Sequence, residues 1–372
     1  MIVTKASNPK CIVIAARLAN QCKLCLGVVV CSSFKLNKNL FNVSASSVIF
    51  QTNKKVFSPG VKVLTIAMSV INITKIAHFS GHNGPIYSFC TAINANEFYS
   101  GGNDGYVVLW NKETKGDGKL LVQVNRPVYS LCFDQADNLL FCGTASGNLH
   151  VVDLLAGKEI RNIEAHTLGV FDIKIHNNEL ITCGGDGAVK VWSLPDLKLL
   201  HHHQESKKSA RCLGLNINQN IMAVGFSDHK IRVYQLTDFT LLNTLDAHTN
   251  SVFTVAFTKD GKELLSGGRD VMLRSWLVNQ NYKLDVDVAA HNLHINHIAF
   301  NPSGKLFATV SMDKTIKIWA TEKFQLLKVV DKFKYDGHLS SVNKCLWFDD
   351  ETLLTGSDDR TIMMWMVETE KL

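Results

Sequence analysis

No aspartate or glutamate occurs in the first 67 of the 372 residues. Proline is scarce, with six in the chain, and charged residues make up 19% of it against 46% hydrophobic. That balance excludes an intrinsically disordered, collagen-like or coiled-coil protein. The most apolar stretch, Cys11 to Cys31, is interrupted by Arg17, Gln21 and Lys23, so it makes a poor membrane-spanning helix. Residues 68–372 carry no long helical periodicity, no Gly-x-Ser-x-Gly elbow, no phosphate loop and no dinucleotide fingerprint. Ten cysteines are present but no disulfide framework is evident, which fits a reducing compartment and points to the cytoplasm. Cys22-Lys-Leu-Cys25 is a lone C-x-x-C with no matching second pair, short of the four ligands that zinc requires, so no metal and no cofactor is expected.

The absence of acid in the leader locates the charge. Nine basic residues (Lys5, Lys10, Arg17, Lys23, Lys35, Lys38, Lys54, Lys55 and Lys62) lie in residues 1–67. The other 30 basic residues and all 33 acidic ones fall in 68–372, a balance of −3. The formal +6 of the whole chain therefore belongs to the leader, and a pI near 8.7 does not describe the body. Three readings of residues 1–67 stand beside one another. They are an organelle-targeting segment, although such segments are Arg-rich and this one is Lys-rich; a disordered tail; or upstream sequence ahead of a true start at Met68, which the composition boundary favours.

The body is built on a repeat. Asp359-Arg-Thr-Ile-Met-Met-Trp365 has counterparts in Asp313 to Trp319, Asp270 to Trp276, Asp186 to Trp192 and Asp104 to Trp110. Asp228 to Tyr234 keeps the spacing with Tyr, and Ser146 to Val152 keeps it with neither end residue. Successive end positions lie 42, 40, 42, 42, 43 and 46 residues apart, the period of a four-stranded propeller blade. Upstream of each phrase stands a Gly-His or Ala-His pair at His82, His166, His248, His291 and His338. Four residues after each His comes an aliphatic marker: Ile86, Val170, Val252, Ile295 and Val342, with Val128 and Ala210 at the same place in the two units lacking His. Four residues before each Asp is a hydroxyl: Ser100, Thr182, Ser266, Thr309 and Thr355. Between markers, β-rich runs such as Ser251 to Phe257 alternate with Gly/Asp/Pro turns such as Lys259-Asp-Gly-Lys262, which indicates an all-β fold.

These residues resemble the tryptophan–aspartate (WD) repeat family of β-propellers, over residues 69–372. The resemblance implies a seven-bladed propeller in which Asp, His, Ser/Thr and Trp of five blades form hydrogen-bonded tetrads. Buried polar groups are costly unless such a network satisfies them. Blade two carries Val124, Cys142, Ser146 and Val152 at those positions, so the network is dropped as a set. Blade four keeps Asp228 beside Ser206, Val224 and Tyr234, so Asp228 is expected to be exposed or held by Ser206. The ring is expected to close by pairing Val70 to Phe79 with the strand ending near Trp365, which makes 69–372 a complete domain and leaves 1–67 unnecessary for the fold.

The His/Ser/Asp sets superficially resemble catalytic triads, but they recur five times and are tied to Trp, whereas a catalytic site is normally singular. No catalytic residue is assigned. His201-His202-His203 and the H-x-x-H-x-x-H spacing of His291, His294 and His297 read as strand positions, where neighbouring side chains alternate faces and cannot converge on a metal. The resemblance places function on the top face, at the residues just after the aliphatic marker and just before the tetrad Asp. Tyr87, Tyr129, Phe171, Arg211, Phe253, Asn296 and Asn343 follow the markers, with Arg126 and Arg269 near the same rim. Aromatics with Arg are the usual composition of protein-interface hot spots; the competing reading is that the aromatics plug the central channel. The expected function is a non-catalytic scaffold, a monomeric propeller within a complex, that grips a peptide or loop of another protein. The alternatives are a nucleic-acid-associated subunit, which a slightly acidic body with only Lys207-Lys208 beside Arg211 disfavours, and a propeller enzyme. The blade-six to blade-seven connection is longer than its neighbour, and Lys332-Phe-Lys-Tyr335 there offers a second contact.

Overall fold

The computed structural model describes residues 71–369 apart from Lys115 and Asp117. Ahead of them it gives the backbone of two small antiparallel pairs, Ile2–Lys5 with Ile12–Ala15 and Val28–Val29 with Leu64–Thr65. The leader readings, the start at Met68 and Cys22-Lys-Leu-Cys25 lie outside the described residues. Among the described residues, no helix is long and apolar enough to cross a membrane.

Residues 71–369 form seven four-stranded antiparallel sheets arranged as the blades of a propeller. Blade five shows the pattern: Val252–Phe257 is innermost, followed outward by Glu263–Gly268, Met272–Leu277 and Lys283–Ala289. Burial follows the order of the strands. Second strands such as Ile221–Phe226 and Thr352–Ser357 are buried at every residue. Sheets covered on both faces read as continuous apolar runs rather than alternating ones. Outer strands such as Lys158–Glu164 are almost wholly exposed and correspondingly polar.

The ring closes with a strand from the N-terminal side. Ile71–Ser80 pairs antiparallel with Thr361–Thr369 as the outermost strand of blade seven. Its alternating burial places Ile71, Ile73, Ala77 and Phe79 inward, as a half-buried strand of period two requires.

The core is divided among the blade interfaces rather than gathered at one centre. One apolar cluster lies between each neighbouring pair of blades. The cluster of Phe79, Leu354 and Ile362 with Ile86, Phe98 and Trp110 joins blade seven to blade one. The aliphatic marker of one blade drives into the second strand of the blade before it. A Cβ on Gly225 would stand 2.8 Å from Val252 and 2.6 Å from the Cys212 sulfur, so only glycine seats the marker there. The blade-six to blade-seven connection forms a single helical turn, Lys332–Tyr335, capped by Asp331. Asp336, which follows it, is bonded by Lys332 and Lys75, and these bonds hold its carboxyl down to about 2.

Candidate functional site: the mouth of the central channel

Five blades carry the same hydrogen-bonded chain. In blade one, Trp110 Nε1 donates to Ser100 Oγ at 2.7 Å, Ser100 Oγ lies 2.7 Å from His82 Nε2, and His82 Nδ1 lies 2.9 Å from Asp104 Oδ2. In blade five, Trp276, Ser266, His248 and Asp270 repeat it at 2.9, 2.8 and 2.8 Å. The same links join Trp192, Thr182, His166 and Asp186; Trp319, Thr309, His291 and Asp313; and Trp365, Thr355, His338 and Asp359. The indole N–H can only donate, so the hydroxyl accepts from it and gives its own proton to Nε2. Nδ1–H then donates to the carboxylate.

The carboxylate also anchors backbone. Asp104 accepts from the amides of Asn83 and Tyr106, and Asp313 from those of Asn292 and Thr315. Burial pushes the five carboxyls up, but the hydrogen bonds from His and backbone outweigh it and hold them below the ordinary range. All four groups of each set are engaged with one another, and the arrangement is that of a structural strut.

The two irregular blades resolve differently. In blade two, Val124, Cys142 and Val152 pack in one apolar cluster, while Ser146 turns to Asn148 and Thr144. In blade four, Asp228 is held mainly by Arg232, at 3.2 and 2.8 Å from the two guanidinium nitrogens, with Ser206 adding a bond. Arg232 is the partner that the sequence reading missed. A signal was available: a basic residue stands four positions after Asp at Lys190, Arg232, Arg274 and Lys317. Arg274 bonds Asp270 at 2.9 Å.

The rim residues owe their position to one backbone device. In all seven inner strands the register with the second strand shifts across the residue after the marker, as between Val128 and Ser130 or Val342 and Lys344. A β-bulge leaves that residue unpaired and re-aims its side chain. The bulged residues are Tyr87, Tyr129, Phe171, Arg211, Phe253, Asn296 and Asn343, and all seven line one cavity of about 470 Å³. Tyr87 meets Tyr129 edge-on at 5.5 Å, Tyr129 stacks on Phe171 at 5.5 Å, and the Arg211 guanidinium lies 4.4 Å over Phe171 and 5.6 Å over Phe253. On the opposite side, Asn296 donates to Ser341 and Val342, and Asn343 donates to the Ile86 carbonyl and Asp358. The aromatics form a collar around the cavity. Arg126 and Arg269 are exposed and lie outside its lining.

Beneath the collar the channel is charged, which the sequence reading did not anticipate. Asp172, Lys174, His297 and Lys344 line the same cavity. For Asp172, His297 and Lys344 the signal would have been their place two residues after the marker, which faces the channel because of the bulge; Lys174 stands four after it. Lys174 keeps 42% of its side-chain surface open, so its 3.9 Å pairing with Asp172 is screened. His297 is apart from His291, which belongs to its tetrad. His201 and His203 lie on the outer strand Leu199–His203 and stack with each other at 6.0 Å. Among the described residues no three His, Cys, Asp or Glu side chains come together as a metal site. The six described cysteines are free, and burial pushes their thiols up.

Comparisons with known proteins agree with this architecture. The crystal structure of the WD40 β-propeller domain of Doa1 superposes with a TM-score of 0.71 over 79% of this chain and 96% of that one, at 19% identity. WD repeat-containing protein 90 of Xenopus tropicalis is 25% identical over 61% of this chain and 14% of its own length. The WD repeat-containing protein 91 homolog of Dictyostelium discoideum is 23% identical over 79% of the chain and 40% of its own. The U3 small nucleolar RNA-associated protein 15 homolog of Gallus gallus is 25% identical over 61% and 43%. The chain thus spans less than half the length of each of these three relatives. The family description "WD domain, G-beta repeat" matches residues 73–111, 157–193, 239–276, 284–320 and 329–366, just over half of the chain, and the protein is a member of the WD-repeat β-propeller family.

Proposed function

We propose that the propeller is a non-catalytic platform that binds a peptide or loop of a partner protein across its top face. The observation that carries the reading is the convergence of seven bulged residues on one mouth, with Tyr87, Tyr129, Phe171, Arg211 and Phe253 in continuous contact. Aromatic rings and Arg are the side chains that anchor protein interfaces. Here they are fixed by inner strands of the ring, so little entropy is lost when they engage. The polar sets that resemble triads are spent on one another as struts, which supports a non-catalytic role. The test is to change Tyr87, Tyr129 and Phe253 together to Ala and compare affinity purification with that of the parent. Loss of partners from a folded variant is the expected result, and undiminished partner affinity would refute the reading.

A second reading is association with a nucleic-acid complex. It has some support from the name of the chicken relative, associated with U3 small nucleolar RNA. Binding of residues 68–372 to RNA that weakens steeply with salt would favour it.

A further inference from the structure

The residue two positions after the marker links one blade to the next around much of the channel. Ser130 Oγ donates to the Val170 carbonyl, Asp172 accepts from the Leu213 amide, and Thr254 Oγ1 accepts from the Ile298 amide. His297 Nδ1 lies 3.4 Å from Cys345 Sγ. In blade one Ser88 Oγ is buried without a partner, in blade four Cys212 holds the place, and blade seven departs furthest. Its residue at the position is Lys344, whose ammonium has no hydrogen-bond or carboxylate partner, and the link to blade one is made instead by Asn343 to the Ile86 carbonyl. Lys344 therefore lines the cavity without a structural task.

The charges around it are unbalanced. Lys344, Lys174 and Arg211 face the cavity with a single carboxylate, Asp172. That carboxylate is already engaged by the amides of Ile173 and Leu213. Burial, partly offset by Asp172 and reinforced by Lys174, lowers the Lys344 pKa. Burial together with Lys344 and Lys174 pushes His297 well down, so its imidazole is neutral at pH 7. An enclosed cation without a partner is costly and gains from an incoming anion. The wall above is uncharged apart from Arg211, so an extended segment lying on the aromatics can lower one side chain past them. The cavity, about 470 Å³, falls within the range of ordinary ligand sites.

We propose that the bound partner segment inserts an acidic side chain into the channel mouth, where Lys344 pairs with its carboxylate and Arg211 and Lys174 supply the surrounding positive field. This rests on the top-face reading above and names the chemistry of what that face selects. Lys344 is then a specificity residue, and the aromatic collar supplies the remaining binding energy.

The test is selection of displayed random peptides on the full chain, run in parallel on Lys344→Gln, Lys344→Arg and the triple Ala variant of Tyr87, Tyr129 and Phe253, all first shown to share the parent's urea midpoint. The expected result is enrichment of Asp or Glu at one position. Glu should be preferred over Gln there by about tenfold, which is ~1.4 kcal/mol, in keeping with a charge-assisted bond. Lys344→Gln should remove the preference while retaining the apolar positions, and Lys344→Arg should retain both. Peptides that depend on the collar but show no acidic preference would overturn this inference and leave the platform reading intact. Enrichment that is the same on the triple variant as on the parent would overturn both. A random RNA pool bound by the parent and lost in Lys344→Gln would also overturn the inference, by assigning the cations to phosphate.

Discussion

The side-chain chain from Trp to Asp uses each donor once, so loss of one member strands the others. Asp313→Ala would leave the amides of Asn292 and Thr315 without their acceptor and His291 Nδ1 with only Thr315 Oγ1, at 3.1 Å. We expect a loss of about 1–3 kcal/mol in urea denaturation. Ser146→Ala in blade two, where Val124, Cys142 and Val152 have replaced the network by apolar packing, should fall within about 0.5 kcal/mol of the parent. Replacing both partners with apolar groups removes the penalty along with the bond. The five depressed aspartates also set a pH dependence. Their folded values lie below the unfolded one, so the stability they contribute is fully present above about pH 4 and is lost as pH falls through the folded values. Thermal denaturation at descending pH should show the midpoint falling below about pH 4, and falling less in Asp313→Ala than in the parent. The tetrads were legible because rare polar types recur at fixed offsets. Arg232 was missed although a basic residue four after Asp marked its place, because its role appears in a blade where the pattern fails and its side chain does what histidine does elsewhere.

At the scale of the strand, the bulge and the glycine seat explain how repeats become a ring. The marker of each blade packs into the one before it, and Gly225 shows how tightly. Gly225→Ala should cost about 1–3 kcal/mol through overpacking against Val252 and Cys212, measured by chemical denaturation. The closing strand Ile71–Ser80 carries Phe79 into the cluster that joins blades seven and one. Phe79→Ala should cost about 3–5 kcal/mol, seen in the same measurement. Blade count could be read from periodicity, and closure from the family resemblance together with the strand-like segment ahead of His82. The bulge could not, because register is set by pairing between strands and leaves no mark in the hydrophobic pattern of one strand. The residues after each marker were identified as rim by family resemblance, whereas the shift in pairing is the physical reason they point there. The charged layer beneath them was missed for the same reason. The connection Lys332–Tyr335 is a fixed turn that packs Tyr335 against the cluster between blades six and seven and leaves Phe333 99% exposed.

Over the whole molecule, seven sheets with a divided core give a rigid ring. The cavity at the channel mouth is formed by residues that no single blade could assemble. The charge of the ring is slightly acidic overall, yet the channel mouth is locally positive through Lys174, Lys344 and Arg211. Net charge therefore says little about what this face selects. The most direct test of the central claim places a photo-crosslinking amino acid at Tyr129 on the collar and, separately, at the exposed Ile160 on the outer strand of blade two. The account predicts that partner protein is captured from Tyr129 and not from Ile160. Capture from Ile160 with none from Tyr129 would contradict it.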